Sequence, residues 1–89
     1  DKETERIFSR QFSRKLPPEI QRNARRKLEV LNATRVLDDL RVPPGNHLEK
    51  LVGNRQGQHS IRINKRWRIC FRWGRGDAYD VEIVDYHRE

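Results

Sequence analysis

Asp85, Tyr86 and His87 place a carboxylate, a phenol and an imidazole at three consecutive positions, at the end of a strongly cationic stretch of chain. From Lys50 to Gly76 the sequence carries Lys50, Arg55, Arg62, Lys65, Arg66, Arg68, Arg72 and Arg75 and no Asp or Glu. The sign then reverses through Asp77, Asp80, Glu82, Asp85 and Glu89, with only Arg88 against them. Guanidinium groups hold phosphates through paired, charge-assisted hydrogen bonds. RNA cleavage without a metal needs a group to take the 2′-hydroxyl proton, a group to protonate the leaving 5′-oxygen, and cations on the developing phosphorane charge. Asp85 or His87 can act as acid or base, Tyr86 can orient or protonate, and Arg68 with Arg72 can neutralise the phosphoryl oxygens.

The composition supports a nucleic-acid partner. Of the 20 basic residues 15 are Arg, the net charge is +7, and the positive charge is segregated rather than dispersed. This is the footprint of a phosphate-binding surface. No segment combines a cationic face with a broad apolar one, and no apolar run approaches the length of a signal peptide or a membrane span, so no membrane partner is expected. Cys70 is the only cysteine, which excludes an internal disulfide and a thiolate metal cluster and fits a reducing cytoplasm. Asp80, Asp85 and His87 offer ligands to a divalent cation, but the surrounding arginines supply positive charge and repel it. No metal and no other cofactor is therefore expected.

A chain of 89 residues makes one domain with a compact core, burying only about 60 to 65% of its unfolded surface. The elements that position the polar groups follow from periodicity. Asp1 to Arg10 reads as a short helix, acidic early and basic late as the helix dipole favours, with Ile7 and Phe8 as its buried anchor. A second helix begins at Pro17-Pro18-Glu19 and carries Ile20, Ala24, Leu28 and Leu31 on one face. Val36, Leu37 and Leu40 suggest one more helical turn before Pro43-Pro44-Gly45-Asn46 reverses the chain.

Strands occupy the rest. His47 to Leu51 is a weak first strand, and Gly53 and Gly57 bracket a turn. His59 to Ile63 alternates, and Asn64-Lys65-Arg66 is a tight hairpin. In the next strand Trp67, Ile69, Phe71 and Trp73 fall on one face and Arg68, Cys70 and Arg72 on the other. The apolar face is expected to pack on the helices and the other to offer two guanidinium groups to a phosphate. After Gly74-Arg75-Gly76-Asp77, residues Tyr79, Val81 and Ile83 alternate with Asp80 and Glu82. The fold class is α+β, two N-terminal helices packed on one face of a small antiparallel β-sheet.

The order of Leu48-Glu49-Lys50-Leu51, Gly53-Asn54-Arg55, Ser60-Ile61-Arg62-Ile63-Asn64, Trp67-Arg68-Ile69-Cys70-Phe71 and Asp80-Val81-Glu82-Ile83-Val84-Asp85-Tyr86-His87 resembles the plasmid-maintenance killer proteins, the HigB toxins of the RelE/ParE superfamily. The likeness runs from Lys2 to His87. It implies a RelE-like fold and the toxin of a type II toxin-antitoxin system, a ribosome-dependent, metal-independent endoribonuclease that cleaves messenger RNA in the A site by 2′-hydroxyl attack. By position, the family's catalytic residues fall on Arg68, Asp85, Tyr86 and His87, with Arg68 on the transition-state charge, His87 or Asp85 in proton transfer, and Tyr86 positioning the scissile nucleotide. Lys50, Arg55, Arg62, Lys65, Arg66 and Arg72 would bind RNA and ribosome.

Some members have a catalytic His at the position of Glu49, which makes Glu49 a supporting candidate, and a Lys often stands at Val52. The family also begins with a short strand ahead of the first helix. That strand is missing here, so residues 1–89 read as a single toxin domain lacking it, with a sheet edge exposed. The implied partners are a helix-turn-helix antitoxin of HigA type, the ribosome with its messenger RNA, and operator DNA reached through the antitoxin. Two other classes fit the same cationic surface: a non-enzymatic, ParE-like topoisomerase poison, against which the Asp-Tyr-His triplet argues, and a simple nucleic-acid-binding module.

Overall fold

The computed structural model describes residues 1–9 and 13–86. Helix α1 spans Lys2–Phe8, capped by the Asp1 carboxylate, which accepts from the Thr4 amide at 2.8 Å. Capping satisfies a main-chain donor that the first turn leaves without a helical partner. Ile7 is buried at 2% exposure, whereas Phe8, expected beside it, stands 43% exposed. Successive helical residues are turned by about 100°, so a narrow contact with the core takes only one of the two. Arg10, the expected end of this helix, lies outside the described residues.

Helix α2 spans Pro18–Ala33, with Pro18 in its first turn, where the missing N–H has no helical acceptor to lose. Its apolar stripe of Ile20, Ala24, Leu28 and Leu31 is fully buried, as the spacing predicts. A 3-10 turn at Leu37–Arg41 supplies Leu40 to the same core, and a second at Pro44–Asn46 turns the chain. There the buried Asn46 amide donates to the carbonyls of Leu40 at 3.1 Å and Val42 at 3.4 Å, and its side-chain oxygen accepts from the Lys27 ammonium.

Strands β1 (Glu49–Lys50), β2 (His59–Arg62), β3 (Trp67–Gly74) and β4 (Asp77–Asp85) form an antiparallel meander in the order β1-β2-β3-β4. The first strand is shorter than expected because His47, at φ 44°, adopts the left-handed conformation and cannot extend a ladder. The β2–β3 hairpin is closed by Asn64, whose side chain accepts from the amides of Arg66 and Trp67 at 2.9 and 2.8 Å. The β3–β4 hairpin turns through Arg75 and Gly76, both at positive φ, the two-residue geometry that matches strand twist.

The helices cover one face of the sheet, where Ile61, Ile69 and Phe71 are fully buried. The other face is not the open surface that the alternation suggests. Leu51, Cys70 and Val84 form a second buried cluster there. The segment from Leu51 to Gln58 folds over this cluster, held by the Leu51 amide donating to the Gln58 carbonyl at 2.9 Å.

A further departure lies in β4. Cys70 pairs with Glu82 but Arg72 pairs with Tyr79, so Asp80 and Val81 together face Phe71. This is a β-bulge, and Asp80 takes the left-handed conformation at φ 51° to make it. Beyond the bulge the alternation is shifted by one. Tyr79, expected on the core face with Val81 and Ile83, instead shares the face of Arg72 and is 49% exposed. Among the described residues, no helix is long and apolar enough to cross a membrane.

Candidate functional site

Arg68 is the second residue of β3, directly opposite Arg62 at the end of β2. Two like charges at one paired position repel. The two side chains part: Arg68 leans along the strand toward Ser60, while the Arg62 guanidinium lies 3.5 Å from the His47 ring nitrogen. Arg68 is thereby drawn inside, at 6% exposure. Its Nε donates to the Ser60 hydroxyl at 2.8 Å, and its Nη2 donates to the His47 carbonyl at 2.5 Å and reaches the Ser60 carbonyl at 3.5 Å. The sequence expectation of two guanidinium groups offered on an open face is thus corrected for Arg68. Its charge is sunk among the neutral oxygens of Ser60 and His47.

Two further side chains meet it. The Glu49 carboxylate, half-exposed on the edge strand, stands 3.5 Å from Nη2. The Tyr86 ring lies over the guanidinium at 5.3 Å, a cation–π distance, and remains 39% exposed on its outer side. Arg68, Tyr86 and Glu49 therefore come together. Asp85 does not join them, because Asp85 pairs with Trp67 while Val84 pairs with Arg68, and consecutive strand residues point to opposite faces. Its carboxylate is held by Arg66, whose Nη2 and Nε approach one oxygen at 2.6 and 2.8 Å. That contact, and the nearby negative charge, raise the Arg66 pKa. His87 lies outside the described residues.

A cavity of about 420 Å³ opens in front of this group, lined by Glu49, Lys50, Leu51, Val52, Asn54, Arg55 and Tyr86. Val52, at 83% exposure, and Tyr86 give it apolar surface, while Lys50 adds a cation on an exposed edge strand. The remaining candidates differ in how much charge they offer. Lys65 is exposed at the hairpin tip. Arg55 donates to Glu82 at 2.5 Å and to Gln58 at 3.1 Å, so part of its charge fastens the covering segment to β4. Arg72 stays partly exposed with Asp80 at 3.7 Å. His59, its ring tilted against that of Phe71 with centroids 5.9 Å apart, has its pKa lowered by burial and, secondarily, by Lys50 across the strand pair. Among the described residues no three His, Cys, Asp or Glu side chains lie close enough together to hold a metal ion.

Sequence reasoning missed the groups that hold Arg68. Ser60 is an ordinary polar strand residue by type, and the His47 carbonyl acts through the main chain. The available signal was that Ser60 and Arg68 fall on the same face of adjacent strands, two residues apart in register.

Two helices on one face of a four-stranded antiparallel meander, with a strand arginine beneath a tyrosine at the end of the last strand, fit a RelE-like toxin of a type II toxin-antitoxin system. The family model described as the RelE-like toxin HigB of such systems matches residues 1–87, and the chain belongs to that family. It is 44% identical over 75 residues to Toxin HigB-1 of Vibrio cholerae serotype O1, covering 84% of this chain and 78% of that protein. An uncharacterized protein of Haemophilus influenzae is 37% identical over 69 residues, 78% of this chain and 68% of its own length. A shorter match, 45% identical over 40 residues, links 45% of this chain to 44% of Endoribonuclease HigB from Proteus vulgaris. Membership of a type II system implies a cognate antitoxin as partner.

Proposed function

We propose that this toxin is an endoribonuclease that cleaves messenger RNA in the ribosomal A site, without a metal, by attack of the 2′-hydroxyl on the adjacent phosphate. The observation that carries the reading is the buried Arg68 guanidinium under the half-exposed Tyr86 ring, beside a cavity large enough for a nucleotide. The name of the Proteus vulgaris relative supports the ribonuclease activity.

A guanidinium held in a water-poor site needs little reorganisation when negative charge develops on a phosphorane, which is where electrostatic stabilisation is strongest. Arg68 meets that charge. Tyr86 stacks on the nucleotide next to the scissile bond, a recognition mode suited to an unpaired base. His87, next after Tyr86, exchanges the proton with the 2′-hydroxyl or the leaving 5′-oxygen. Asp85, through Arg66, fixes the direction of the strand end that carries both. Glu49 supports Arg68 from the edge strand. Lys50, Lys65, Arg62 and Arg72, with the outward parts of Arg55 and Arg66, steer the protein to ribosomal and messenger RNA. The positive charge that a divalent cation would bring is supplied by arginine. An antitoxin of helix-turn-helix type, with operator DNA reached through it, completes the reading.

The test is primer extension on a defined message with and without programmed ribosomes, for the parent chain and for His87→Ala. Cleavage that requires both the ribosome and His87 is the expected result. Cleavage of free RNA would replace the reading with a ribosome-independent nuclease. Intact message in both settings, with DNA damage signalling in induced cells, would replace it with topoisomerase poisoning.

A further inference from the structure

We propose that Ser60 is a positioning residue for the cleavage reaction: its hydroxyl, with the His47 carbonyl, locks the Arg68 guanidinium so that its Nη1 end alone is offered to the scissile phosphate. The inference rests on the ribonuclease reading above and assigns a role to a residue that neither its type nor its place in the motifs marks out.

The geometry is specific. A guanidinium has five N–H donors in a planar fork. Ser60 Oγ takes the Nε donor at 2.8 Å, and the His47 carbonyl takes Nη2 at 2.5 Å, so the edge formed by these two nitrogens is occupied by the protein. Among the described residues, Nη1 makes no hydrogen bond. Both acceptors are rigid. Ser60 has no exposed surface and sits within the β2–β3 ladder opposite Cys70. The His47 carbonyl is aimed by a left-handed residue that follows the Pro44–Asn46 turn, itself tied down by the buried Asn46 side chain. Both acceptors are also neutral. They fix direction while leaving the positive charge of Arg68 unspent, apart from the half-exposed Glu49 at 3.5 Å. A carboxylate in place of Ser60 would hold the fork equally well and cancel the charge that the phosphorane needs.

Without the hydroxyl, Nε loses its acceptor, and the guanidinium is free to swing about the remaining bond to His47. A displacement of about 1 Å in a group that stabilises a transition state costs on the order of 100-fold in rate. The cost falls on the chemical step rather than on ribosome binding, because the RNA-steering cations are untouched.

Two measurements on the full chain test this. In nitrogen-15 spectra the Arg68 Nε–H should appear as a slowly exchanging signal that is lost in Ser60→Ala and kept in Ser60→Thr. In single-turnover cleavage on programmed ribosomes, below the melting temperature of each variant, Ser60→Ala should be about 10- to 100-fold slower than the parent with unchanged ribosome association. Ser60→Thr should recover most of that loss. A parent that cleaves beside a Ser60→Ala that cleaves equally fast, or one whose Arg68 Nε–H remains protected, overturns the positioning role alone. A parent that cleaves no message overturns the ribonuclease reading, and this inference with it.

Discussion

Arg66 holds Asp85 from the β2–β3 hairpin, with Nη2 at 2.6 Å and Nε at 2.8 Å from a single carboxylate oxygen, while the Arg66 carbonyl accepts the Tyr86 amide at 2.7 Å. Side chain and main chain of one residue thus secure the last residue of β4 and the one that follows it. The guanidinium pKa is raised first by its hydrogen bond to Asp85 and then by the negative charge there. The contribution of a group whose folded pKa is raised is lost only as pH rises through that value. For Arg66 that value lies above any working pH, so the clasp stays intact on the alkaline side. Arg66→Ala is expected to lower cleavage roughly 10-fold by loosening Tyr86, and to lower the melting temperature, since the Asp85 carboxylate, 12% exposed, loses a charged partner. Tyr86 fluorescence anisotropy and single-turnover rates would check it.

Arg68 is expected to couple activity to stability. Arg68→Ala leaves the buried Ser60 hydroxyl and the His47 carbonyl without their donor, at a cost of about 1 to 3 kcal/mol. Arg68→Lys keeps the charge but cannot serve both acceptors in the geometry of the fork. Both variants should lose cleavage by 100-fold or more on the order of an electrostatic donor's contribution. Urea denaturation should show both less stable than the parent. Equal stability of parent and Arg68→Ala would contradict the buried placement.

His59 gives a pH dependence of the opposite kind to Arg66. Its pKa is lowered from 6.5 by burial, with Lys50 adding to the effect, so the unfolded chain binds a proton more readily than the folded one. Stability is then highest above pH 6.5 and falls as pH drops from there through the lowered folded value. Melting curves between pH 8 and about 5, spanning the unperturbed imidazole range, should show this decline, and His59→Gln should reduce it. A decline that is the same in His59→Gln would point to other groups.

The cationic rim should govern association. Lys50 and Lys65 are exposed and contribute to the net charge of +7. Lys50→Glu and Lys65→Glu are expected to weaken ribosome binding and to flatten its salt dependence by about one unit of slope for each lost phosphate contact. Thermal stability should change little. Titrations of ribosome binding at several salt concentrations would measure the slope directly.

The parts most legible in the sequence are those set by period and punctuation. The α2 stripe and the Ile69 and Phe71 positions of β3 each carry enough apolar surface to fix which face meets the helices. The Asn64-Lys65-Arg66 hairpin was readable because Asn satisfies amides two and three residues on. The burial of Arg68 was not readable, because alternation separates two faces of a strand but says nothing of what covers the second. The groups that enclose Arg68 come from His47, 21 residues before it, and from Tyr86 at the far end of the chain, and nothing in the alternation announces either. The exposure of Tyr79 was hidden for a related reason. A bulge inverts the pattern without a Gly or Pro to announce it, since Asp also tolerates the left-handed conformation.

The same bulge means that β4 contains one residue more than its ladder with β3 requires. Asp80 is the surplus residue: if it were removed, Tyr79 would still face Arg72 and Glu82 would still face Cys70. The loss would be local, confined to a bend and the ion pair with Arg72. Removing a residue between Glu82 and Asp85 would invert the end of the strand and carry Tyr86 away from Arg68. The strand therefore has one place, the Asp80-Val81 bulge, where its length can vary by one residue while the reacting end keeps its place, and one-residue gaps among relatives of this toxin are expected to cluster there.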